Sequence, residues 1–187
     1  MTLPCDSCAV PYESMDVAAA HDAIAELGAK YRKLFAPLLD EPSRLRQRPT
    51  PGVWAPIEYA AHVRDALRYH GATINRALTE DGPVLPEPDP DQAARDADYL
   101  NEDPPSVLVA IDAQARRLAS RVLELDRIDL ERVVHRGDRQ VTVLSMVRNV
   151  AHEGAHHLLD VERILSVDDQ RGCARTKGRG PHAGDAT

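Results

Sequence analysis

Four stretches in which apolar residues return every third or fourth position constrain this chain more than any other feature. That spacing lines one face of an α-helix and leaves a strand without a buried side. The first runs from about Asp16 to Leu39 and aligns Val17, Ala20, Ile24, Leu27, Tyr31, Leu34 and Leu38, with Asp16 as N-cap and Pro42 as a stop. The second, from about Pro56 to Leu78, opens on a proline whose missing N–H would be unpaired at a helix start anyway, and carries Ile57, Ala60, Leu67, Gly71, Ile74 and Leu78. The third starts near Pro105 and Ser106 and aligns Leu108, Ile111, Ala115, Leu118, Val122 and Leu125. The fourth follows Thr142 with Val143, Val147, Val150, Gly154, Leu158, Val161 and Leu165. A single Trp and a single Phe leave the core to Ala, Leu, Val and Ile, which favours helices over sheets.

The connections are as telling as the helices. Between the second and third lie Pro83, Pro86, Pro88, Pro90 and nine acids from Glu80 to Asp103, too long and proline-rich for a hairpin, with Asp89-Pro90 suited to cap a short helix. Asp126 to Val141 is a second long connection, in which His135-Arg-Gly-Asp reads as a turn. Two such crossings suit an all-α four-helix bundle whose sequential helices are not all neighbours. At 187 residues one domain is expected: an N-terminal extension over 1–15, the bundle over 16–167, and a disordered tail over 168–187, where periodicity ceases.

Charge narrows the partners. With 23 Lys+Arg against 30 Asp+Glu the net charge is -7, and the Arg residues are interspersed with acids, which argues against a general nucleic-acid binder. The longest apolar run, Val107 to Ile111, is far short of the roughly 20 residues a membrane span needs, and Met1 to Cys8 lacks signal-peptide character, so a cytoplasmic protein is expected.

The chemistry concentrates in His152-Glu153-Gly154-Ala155-His156. Two imidazoles four residues apart sit one turn apart on one side of a helix, where they either share a metal or stand as solvated surface residues. His157 falls nearer the apolar stripe and is expected to pack. His62, on the second helix and off its stripe, is the natural third nitrogen for a metal. His-Glu-x-x-His also matches a zinc peptidase with Glu153 as base, but the downstream third ligand of that pattern is missing. Cys5-Asp-Ser-Cys8 is half a zinc site, a redox pair or two ordinary thiols, and is expected to lie outside the His site. His21, His70 and His135 are expected at the surface.

Trp54 to Asp65, followed after a variable middle by Gln140 to Asp160, resembles the DinB-like superfamily, which includes YfiT-type proteins and mycothiol-dependent maleylpyruvate isomerases. The resemblance spans about Asp16 to Ser166 and implies an up-down-down-up bundle, in agreement with the two long connections. It implies a divalent metal, zinc or nickel, on one His of the second helix and a His-x-x-x-His pair of the fourth, which carries over to His62, His152 and His156. Characterised members include thiol S-transferases using mycothiol or bacillithiol, and an isomerase whose metal set includes a Glu where the set carried over here is all His. The expected function is therefore metal-dependent thiol S-transfer, with a small-molecule thiol as co-substrate, an electrophile as partner and assembly as a homodimer allowed for. A non-catalytic metal- or ligand-binding stress-response module is the alternative, and a metallopeptidase comes behind both. Arg64, Asp65, Tyr69, Arg148 and Asn149 flank the site as thiol anchors or as plain surface.

Overall fold

The computed structural model describes residue 8 and residues 12–177, the side chains of 12 and 167–177 excepted. Helix α1 covers Val17–Phe35 and is capped by Asp16, whose carboxylate accepts from the Ala19 N–H at 2.7 Å. A short α2 at Pro42–Leu45 leads to α3, Pro56–Thr79, with proline at its first position. The first crossing connection contains α4, Pro90–Asp96, capped by Asp89, and a 3-10 turn at Tyr99–Asn101. Helix α5 covers Pro104–Leu123, α6 covers Arg127–Glu131, strands β1 (Val133–Arg136) and β2 (Arg139–Thr142) form an antiparallel hairpin, and α7 covers Val143–Lys177.

The four long helices are the four periodic stretches, and each packs on two others: α1 on α5 and α7, α3 on α5 and α7. Directions follow from contacts along each pair. Met15 meets Arg148 and Tyr31 meets Gly154, so α1 and α7 run parallel; His62 meets Glu153 and His70 meets Asn149, so α3 and α7 run antiparallel. Gly71 meets Leu118 and Asn75 meets Arg121, so α3 and α5 run parallel. This is the up-down-down-up bundle. Its two crossings meet each other: Leu85 donates to the His135 carbonyl and His135 donates to that of Pro83, extending the hairpin by one parallel bridge. No described helix is long and apolar enough to cross a membrane.

Helix α7 continues through Lys177, well past Leu165 where the apolar stripe ends, so the tail expected from Asp168 onward is helical in backbone up to there. Once a helix is nucleated, each further residue adds one hydrogen bond for two dihedral angles, and no buried face is required. Residues 178–187 of that tail lie outside the described residues, as does most of the 1–15 extension.

Candidate functional site

Helix α7 presents three different stripes to three different neighbours. Val147, Val150, Gly154 and Val161 are buried in the core, where Tyr31 of α1 donates to the Gly154 carbonyl at 3.3 Å. Asn149, Glu153 and His157, each one turn after the last, face α3. Arg148, His152 and His156 face the N-terminal segment, where the Arg148 guanidinium donates to the Met15 carbonyl at 2.7 Å. A rotation of about 100° per residue separates adjacent stripes, so His152 and Glu153 look in different directions.

The expected His62, His152 and His156 set is therefore not the one the packing brings together. His62 Nε2 lies 3.0 Å from Glu153 Oε1, and His157 Nε2 lies 3.5 Å from the same oxygen. One donor atom from each of His62, Glu153 and His157 falls within 4.8 Å of the others, whereas His152 and His156 form such a cluster with Cys8. Ligands bound about 2.0–2.1 Å from one ion stand roughly 3.3 Å apart in a tetrahedral set, so the first cluster has the separations a shared ion requires. His157, expected to pack, is a member of the cluster.

The residues around it fix orientation. Asp160 Oδ2 lies 3.0 Å from His157 Nδ1, which holds the ring with Nε2 facing Glu153. Asn149 reaches the other Glu153 oxygen at 3.5 Å. Trp54 packs edge-on against His62 at 5.2 Å and Tyr59 against His157 at 5.1 Å. The start of α3 is held by Glu58, whose buried carboxylate accepts from the Ala55 N–H and from Arg48, at 2.8 and 2.7 Å. Burial pushes the Glu153 carboxyl up, but hydrogen bonds from His157 and His62 outweigh it and hold it well below the usual carboxylate range. Burial likewise pushes His157 down, and Glu153 and Asp160 more than reverse this. Two imidazoles and a carboxylate, each with outer support, suit zinc or another borderline divalent ion.

Two cavities lie along this part of the bundle, and only the first has the cluster in its lining. One of about 290 Å³ is lined by Trp54, Tyr59, Asp91 and the cluster itself. The other, about 620 Å³, lies between the hairpin and α7 and is lined by His70, Arg136, Arg139, Arg148 and Asn149, with Glu13 as its one acid. Arg136 stacks over Tyr69 at 5.3 Å, and its buried Nε and Nη2 have no hydrogen-bond partner among the described residues. Of the expected flanking residues, Arg64 and Asp65 are instead tied to Glu102 and Tyr99, locking the first crossing onto α3.

His70, expected at the surface, is buried beside Asn149, and loss of hydration lowers its pKa to about 4. It stays neutral in the fold but takes a proton in the unfolded chain below about pH 6.5, so stability falls with pH between those two values. The shift corresponds to about 2–3 kcal/mol lost between pH 7 and 4.5. Urea unfolding of wild type and His70→Gln at the two pH values checks it: the variant should be less acid-sensitive by that amount, and parallel losses would refute a buried neutral ring.

A sequence model of the DinB superfamily matches residues 23–161, well over half the chain. No curated protein matches. Among solved structures, YfiT from Bacillus subtilis is similar, with a TM-score of 0.74 over 83% of this chain and 90% of that one at 18% identity. It is described as a probable metal-dependent hydrolase with an unusual four-helix bundle topology. At that identity the likeness concerns the fold.

Proposed function

The chain belongs to the DinB superfamily, and on that premise we propose that it is a metal-dependent thiol S-transferase whose ion is held by His62, Glu153 and His157. The observation that carries the reading is the convergence of these three donors, oriented by Asp160 and Asn149, beside a cavity. Three protein ligands leave a position open, as in catalytic rather than structural sites. A divalent ion there supplies Lewis acidity that lets a coordinated thiol or water lose its proton near neutral pH. Glu153 offsets one of the two charges and still leaves a net positive centre for a thiolate. Trp54 and Tyr59 shield the donors from bulk water. Two buried nitrogens of the half-buried Arg136 guanidinium have no hydrogen-bond partner among the described residues, which favours an anionic substrate group there. In the transfer the thiol gives its proton to water, sulfur bonds to the electrophilic carbon, and the leaving group departs with the bonding electron pair.

Glu153 in the donor set also supports a thiol-dependent isomerase, since a Glu in the metal set is what the resemblance attributes to that activity. That YfiT is described as a probable metal-dependent hydrolase supports a second alternative, attack by water. One experiment separates these readings. The purified, reduced protein is loaded with zinc or nickel and offered mycothiol, bacillithiol or cysteine with an aryl halide, maleylpyruvate, or an activated ester without thiol. A metal-dependent thioether product is expected. Turnover of only maleylpyruvate or only the ester moves the assignment to isomerase or hydrolase, and no metal-dependent product with any pair overturns an enzymatic role.

A further inference from the structure

The stripe of α7 next to the proposed catalytic centre carries a second donor set. Cys8 Sγ lies 3.2 Å from His152 Nε2, and Cys8, His152 and His156 each place a donor atom within 4.8 Å of the other two. The expectation that the cysteines lie apart from the histidine pair is thus corrected for Cys8. We propose that Cys8, His152 and His156 form a zinc site that clamps the N-terminal segment onto α7. Cys5 lies outside the described residues.

Thiolate and imidazole together select zinc over the hard divalent cations. Sulfur and nitrogen bound at about 2.3 and 2.0–2.1 Å to one tetrahedral ion stand roughly 3.5 Å apart, close to the separation observed. A thiolate combined with a His-x-x-x-His pair is a donor combination found in zinc sites. His152 and His156 are partly buried rather than solvated, and their rings stand 5.4 Å apart, one turn along the helix. Independently, the segment that bears Cys8 is held to the same stripe: Arg148 donates to the Met15 carbonyl, and the 3-10 turn Tyr12–Ser14 packs on α7. A clamp of this kind explains why His152 and His156 accompany Glu153 and His157 on a helix where either pair alone could serve a single ion.

The test uses the full chain purified under reducing conditions and loaded with cobalt(II). Wild type should show a sulfur-to-cobalt charge-transfer band in the near ultraviolet and bind two ions per chain. The band should persist in His62→Ala, which removes only the other ion, and vanish in Cys8→Ser. Absence of the band from wild type refutes the site without recourse to any variant, and so does an unchanged band in Cys8→Ser. Because His62→Ala and Cys8→Ser remove different ions, failure of one site is read separately from failure of the other.

Discussion

Glu153→Gln is expected to release the ion from the His62 and His157 centre and reduce thiol transfer to background. The substitution keeps the side chain's shape and its contact with Asn149, but it removes the charge and the anionic oxygen that His62 and His157 both approach. Losing an outer-shell partner of a metal ligand costs 10–100-fold in affinity, so losing the ligand itself should exceed about 100-fold. His157→Ala should match it, and Asp160→Asn should fall within the outer-shell range, because Asp160 touches this donor set through His157 Nδ1 while also pairing with His156 and Arg163. Competition with a chromophoric chelator measures all three. If Glu153→Gln keeps wild-type affinity while the ion bound with Cys8 is excluded by Cys8→Ser, the donor set is wrong.

Gly28→Val is expected to destabilise the bundle severely, and Gly28→Ala less so. A Cβ at Gly28 would stand 2.7 Å from the Cα of Asp112, backbone that can yield only if α1 and α5 move apart along their whole interface. Overpacking of this kind costs about 1–3 kcal/mol and occasionally more, set against up to about 1 kcal/mol gained in helix propensity. Valine adds two methyl groups to the clash and has little helix preference, so its loss should reach the upper end of that range. Gly71, on α3, is the control, since a Cβ there would find its nearest neighbour, Leu118, 4.0 Å away. Gly71→Ala should therefore stabilise by up to about 1 kcal/mol. Urea midpoints at pH 7 test the pair, and the same sign for Gly28→Ala and Gly71→Ala would contradict the packing described.

Much of the fold was readable one residue at a time. Asp16, Asp89 and Pro56 each begin a helix because a cap or a proline is satisfied by local geometry, and the apolar stripes name the core residues because burial selects a face with period 3.6. The hairpin Val133–Thr142 was legible only as a turn, since two strands of four residues pair through backbone groups and carry little periodicity.

The site was legible in its elements but not in its register. From sequence alone, His62 and the His152–His157 cluster stand out as donors on two helices, and the spacing of four determines that some pair there can share an ion. Two overlapping pairs satisfy that rule equally, His152 with His156 and Glu153 with His157. Helix α3, docking antiparallel on the 149, 153 and 157 stripe, gives His62 to the second pair, while the N-terminal segment brings Cys8 to the first. Local spacing determines which side chains share a face of a helix; only the azimuth at which a neighbouring helix packs decides which face receives the third ligand, because one residue of difference is about 100° of rotation.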